Sequence, residues 1–66
     1  MIKKTIVNGV PVQFTLDKVP FYTAEKAAEE VIAEYKTGKT YFHLDGVDYS
    51  IVETIEGGYH IMCSSN

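Results

Sequence analysis

The sequence predicts an α+β fold of order ββαβββ, with one helix packed on one face of a mostly antiparallel five-stranded sheet. Three observations predict it. The stretch Thr23–Gly38 alone carries apolar residues at helical spacing. Asn8-Gly9 and Asp45-Gly46 each lie between runs rich in β-branched and aromatic residues, the mark of a tight hairpin. A Glu56-Gly57-Gly58 turn then separates the last two such runs.

In the helix, Ala24, Ala27, Ala28, Val31, Ile32 and Tyr35 recur at three- and four-residue steps and form one buried stripe. Glu25, Lys26, Glu29, Glu30 and Lys36 occupy the opposite side. Thr23 is the expected N-cap, and Glu25 stands where the positive end of the helix dipole favours a carboxylate. Lys36 falls in the last turn, and Gly38 supplies the left-handed residue that ends a helix. The alanine-rich start lets the helix approach the sheet closely, while Val31, Ile32 and Tyr35 hold its far end away.

Residues 2–16 read as a hairpin. Ile2 and Ile6 share the even face of the first strand; Val10, Val12, Phe14 and Leu16 share that of the second. A two-residue loop would pair even with odd and split these apolar sets. A three-residue loop, Val7-Asn8-Gly9 with Gly9 left-handed, keeps them together by pairing Ile6 with Val10. That loop is the expectation, and it leaves Lys4 awkwardly on the core face. Pro11 cannot donate to a neighbour, which predicts an edge position for the second strand. Phe21 and Tyr22, just before the expected N-cap, are read as a plug over the end of the core, with an exposed aromatic loop as the alternative.

In the second half, the Asp45-Gly46 loop pairs Leu44 with Val47, Phe42 with Tyr49 and Thr40 with Ile51 on one face. Treating Glu56-Gly57-Gly58 as a three-residue loop aligns Ile55 with Tyr59 and Ile51 with Cys63, and puts Glu53 opposite Ile61 on the core face. A frayed tail is expected over residues 63–66 or so, Ser64–Asn66 in particular. A hairpin followed by a helix and further strands resembles, in element order, the opening of the β-grasp (ubiquitin-like) family. The two tight final loops set this chain apart, because they call for a 3-4-5 meander, whereas that family's last strand lies in the middle of the sheet.

At 66 residues the chain is one domain, residues 1–66, near the lower limit for folding alone. A core of this size supplies about 3–5 kcal/mol, so a partner or a homo-oligomer is expected. No apolar run is long enough to span a membrane and no signal-peptide pattern follows Met1, which with the lone Cys63 predicts a cytoplasmic location in a bacterium or infected host and no membrane partner. The net charge is −3 and all six basic residues are lysine. Without arginine or a basic patch, nucleic acid is not an expected ligand.

One helix covers one face, so the other should be open. On it the sequence places Tyr41, His43, Asp48, Ser50, Val52, Thr54, His60, Met62 and Ser64, with His43 facing Asp48, Tyr41 facing Ser50 and Val52 facing Met62. His43, Asp48 and Ser50 have the residue types of a nucleophilic triad. A flat sheet offers neither a dry pocket nor oxyanion donors, so no catalytic residues are expected and the His–Asp contact is read as a surface pair. His43, Asp48 and His60 lack metal-ligand spacing, and no metal or other cofactor is expected. Cys63 is read as a small core residue, not a reactive thiol. The acidic helix face, Glu25, Glu29, Glu30 and Glu34, is an ordinary solvated face or, alternatively, a mimic of nucleic-acid phosphates.

These observations predict a small non-enzymatic interaction protein, an inhibitor or adaptor of phage, mobile-element or bacterial accessory type. It binds one host protein through Tyr41, His43, Asp48, Ser50, Val52, His60 and Met62 on the open face. The alternative is a homo-oligomer that encloses a small ligand between subunits.

Overall fold

The computed structural model describes Met1–Ser65. The elements follow the expected order: β1 (Ile2–Val7), β2 (Val10–Asp17), α1 (Phe21–Tyr35), β3 (Tyr41–Leu44), β4 (Val47–Glu53) and β5 (Tyr59–Ser65). The strands form one five-stranded sheet in the order β1-β2-β5-β4-β3. Every pairing is antiparallel except that of β2 with β5. This is the α+β fold that the sequence predicts, with α1 laid on one face.

After β2 the chain crosses that face as α1, enters the sheet at its far edge as β3, and meanders back until β5 meets β2. A 3-4-5 meander and a last strand in the middle of the sheet therefore coexist, and the contrast drawn with the β-grasp order does not hold. For the same reason β2 is an interior strand, not the edge expected from Pro11. Met1 and Leu16 exchange two backbone hydrogen bonds, at 2.7 and 3.3 Å. Antiparallel alternation then makes Ile6–Pro11 a pair that does not bond across β1 and β2. The missing donor points toward β5, whose pairing with β2 begins only at Val12–Tyr59.

The core lies between α1 and the sheet. Val12, Phe14 and Leu16 of β2, Val47, Tyr49 and Ile51 of β4, and Ile61 and Cys63 of β5 are buried against Ala24, Ala28, Val31 and Ile32. Each large aliphatic side chain buried there contributes about 1.5–3 kcal/mol. The helical stripe is the expected one, but the helix begins earlier. Pro20 is its N-cap and Thr23 lies inside the first turn, without a capping bond. Proline suits a helix start because the donor it lacks would go unused there. Phe21 is thus helical, its ring edge-on to Phe14 at 5.7 Å, and is the plug that the sequence suggests. Tyr22 is exposed instead, with Lys26 Nζ 5.3 Å from its ring centre. Glu25 falls beyond the first turn and accepts a hydrogen bond from Thr5 Oγ1 at 3.4 Å, so the expected dipole contact is absent. Lys36 is the C-cap itself, and Gly38, at φ 104°, ends the helix as expected.

The first turn is where expectation fails. Val7 pairs with Val10 across a two-residue Asn8-Gly9 loop, not Ile6 with Val10. Asn8 and Gly9 are both left-handed, at φ 51° and 79°, as are Asp45 and Gly46 at 51° and 80°. The two hairpins therefore share one turn geometry, the one whose twist suits flanking strands. Local turn chemistry prevailed over the parity of the apolar residues. Lys3, Thr5 and Val7 face the helix side, while Ile2, Lys4 and Ile6 face the open side, which removes the conflict at Lys4.

The last loop has five residues, Thr54–Gly58, not three. It is held by bonds from Thr54 N–H to Gly58 O (2.9 Å), Gly57 N–H to Thr54 O (3.1 Å) and Gly58 N–H to Thr54 Oγ1 (3.1 Å). An odd count preserves the faces and shifts the register by two residues. Ile51 meets Ile61, Tyr49 meets Cys63, and Glu53 meets Tyr59 at the rim. Glu53 there accepts a 2.8 Å hydrogen bond from Tyr35 Oη, so no carboxylate enters the core. Ile55, expected beside Tyr59, is fully exposed at the loop tip. Cys63–Ser65 belong to β5 and are not a frayed tail; Asn66 lies outside the described residues.

Candidate functional site

The face of the sheet away from α1 is uncovered. Cross-strand registers arrange its side chains in rows. One row runs Ile2, Thr15, Met62, Ser50, Tyr41 from edge to edge; the next runs Lys4, Gln13, His60, Val52. On the other side of the first row lie Asp17, Ser64, Asp48 and His43. All seven residues expected to bind therefore share this face. Two contacts differ from expectation because of the register shift: Val52 faces His60, and Met62 faces Ser50. Val52 and Met62 are diagonal neighbours, still close enough to form one apolar patch.

Strand parity explains why the face is chemically mixed. Each strand alternates, and its inward residues are consumed by the core, so the outward set is whatever remains. On β3–β5 that set is mostly polar, with Tyr41 60% and Val52 50% exposed among it. On β1 it is Ile2, Lys4 and Ile6, with the two isoleucines 58% and 65% exposed. The expected loop had buried these two isoleucines. Lys4 between them was the available signal, since the two-residue loop that frees the lysine also turns both isoleucines outward. A shallow concavity of ≈ 380 Å³ lies beside Ile6, with Pro11, Gln13, Thr54 and Glu56 among its lining.

His43 Nδ1 and Asp48 Oδ1 are 2.6 Å apart, the expected cross-strand pair. Asp48 is held below the usual carboxylate range, first by the His43 hydrogen bond and next by the Tyr41 hydroxyl. Tyr41 is raised in turn, mainly by its bond to Asp48. Ser50 stands between Tyr41 and Met62. Its two would-be triad partners are engaged with each other. His60 lies elsewhere, its Nε2 2.6 Å from Thr15 Oγ1. Among the described residues no group of three His, Cys, Asp or Glu side chains is placed to hold a metal ion.

Cys63 is buried in the core, and burial pushes its thiol up to about 11. A thiol so placed is a packing residue. Glu25, Glu29 and Glu30 are exposed on α1 and Glu34 is half-buried, so the acidic row lies on the side of the molecule opposite the open sheet. No helix among the described residues is long and apolar enough to cross a membrane. Comparison of the chain with protein-family models, with curated proteins and with solved structures returns no match.

Proposed function

We propose that the chain is a small non-enzymatic interaction protein, an inhibitor or adaptor, that docks on a protein target through its open sheet face. One observation carries this reading: Ile2, Ile6, Tyr41 and Val52 are each at least half exposed and all stand on that one face. Covering a half-exposed aliphatic side chain returns about 1 kcal/mol. Several together matter to a domain whose whole core supplies about 3–5 kcal/mol. His43, Asp48, Ser50 and His60 stand between and beside them on the same face, which gives the mixture of apolar and polar groups found in protein contacts.

A second copy is the other occupant to weigh. The row Ile2, Thr15, Met62, Ser50, Tyr41 is large at both ends and centred on the middle strand. A two-fold axis along β5 would lay Ile2 of one copy on Tyr41 of the other and Met62 on Met62. The same operation lays Asp17 on Asp48, and like charges in contact oppose it. The balance favours a different protein as the target. Sedimentation equilibrium separates the two: a monomer at micromolar concentration is expected. Replacing Val52 or Met62 with lysine should then abolish target binding while leaving the helical circular-dichroism signal intact. A stable dimer that Val52→Lys dissociates would assign the face to self-association.

A further inference from the structure

We propose that β1 accepts an added strand, supplied by an extended segment of another protein with an acidic residue at its centre. β1 is an edge strand, and the phase of its hydrogen bonds fixes which groups are free. Because Met1 and Leu16 bond each other, Lys3, Thr5 and Val7 bond β2 as well. The N–H and C=O groups of Ile2, Lys4 and Ile6 therefore point away from the sheet. These three residues also place their side chains on the open face. The edge thus offers a free backbone ladder and an Ile-Lys-Ile row in the same place, the two components of recognition by strand addition.

Charge decides the occupant. In the antiparallel pairing of two identical β1 strands that sets Ile2 on Ile6, Lys4 falls on Lys4. Like charges directly opposite destabilise the pair, and lysine on an edge keeps identical strands apart. A segment with a carboxylate opposite Lys4 turns that repulsion into attraction. Apolar residues two positions to either side then meet Ile2 and Ile6, the latter beside the ≈ 380 Å³ concavity. Lys4 is available for this, since the His43–Asp48 contact is the one ion pair among the described residues. The inference shares Ile2 and Ile6 with the open-face reading and adds to it the free backbone groups of β1, which that reading does not use.

The test titrates the capped heptapeptide Thr-Val-Thr-Glu-Thr-Val-Thr into the 15N-labelled chain and follows exchange of individual amide protons. The amides of Ile2, Lys4 and Ile6 should slow while those of Lys3, Thr5 and Val7 keep their existing protection. A peptide with lysine in place of glutamate should bind about five-fold more weakly, and Lys4→Glu should reverse that order. No slowing at millimolar peptide, slowing that ignores the alternation, or equal binding of both peptides overturns the proposal. Protection of Ile2, Lys4 and Ile6 that grows with the concentration of the free chain also overturns it, by assigning the edge to a second copy.

Discussion

Gly58 is required by packing, and Gly58→Ala should be the most damaging single-methyl change in the molecule. Where β5 begins beside β2, an added Cβ would lie 2.9 Å from Pro11 Cγ and 3.0 Å from its carbonyl carbon, and closer still to the carbonyl oxygen. Carbon atoms rest at about 3.5–4.0 Å, so β2 and β5 must separate by roughly 1 Å. Neither backbone can yield locally, because the next residues, Val12 and Phe14 on one strand and Ile61 on the other, are fully buried. Overpacking of this kind costs about 1–3 kcal/mol. Losing one strand-to-strand hydrogen bond adds about 1 kcal/mol. The sum, about 3 kcal/mol, approaches the whole stability expected of so small a core. Gly57→Ala is the control: Gly57 has φ 87° and nothing within 4 Å of its Cβ position, so its cost is only backbone strain of about 1 kcal/mol. Urea unfolding followed by circular dichroism measures both. If Gly58→Ala costs no more than Gly57→Ala, the loop does not press on Pro11 and the placement of β5 against β2 is wrong.

Three further outcomes follow from the same geometry. Gly9→Ala should cost about 1 kcal/mol in urea, because alanine resists the left-handed turn that Gly9 adopts at φ 79°. Asp48 has its folded pKa lowered by His43 first and then Tyr41, so its stabilising contribution is present above the unfolded carboxylate value of about 3.9 and is lost as pH falls through the lower folded one. Urea midpoints of wild type and Asp48→Asn should therefore differ slightly at neutral pH and converge in acid; a gap that widens in acid contradicts the pairing. Cys63 is raised to about 11, so the folded chain holds that proton after the unfolded chain has lost it. Stability should fall as pH rises above the unfolded thiol value of about 8.5, and Cys63→Ala should remove that part of the slope. The native thiol should also resist iodoacetamide at pH 8.

Much of this was legible in the residues. The stripe of α1 needs only spacing, and it located the buried Ala24, Ala28, Val31 and Ile32 directly. Asp45-Gly46 fixed the β3–β4 register because its turn chemistry and its parity agree. At Asn8-Gly9 they disagree, and weighting parity over the turn put Ile2 and Ile6 in the core. Two isoleucines on an open face look wrong only if the face is assumed to be solvent. The length of the Thr54–Gly58 loop is hidden in the sequence because its closing bonds use the Thr54 hydroxyl, which no glycine count reveals. Its odd length nevertheless kept Val52, His60 and Met62 on the correct face. Pro11 misled for a subtler reason: whether a missing donor matters depends on hydrogen-bond phase, and that phase is set by the turn.

The central claim is that the open sheet face is the working surface, and differential capture tests it most directly. Wild type, Val52→Lys, Met62→Lys and Glu29→Lys, each first shown to be folded, are immobilised and exposed to one cell lysate, and the retained proteins are quantified by mass spectrometry. A protein held by wild type and Glu29→Lys but lost from both Val52→Lys and Met62→Lys is the result this account predicts. A protein held equally by the two sheet variants, and lost when Glu29 is reversed in charge, would contradict it and move the working surface to the acidic face of α1.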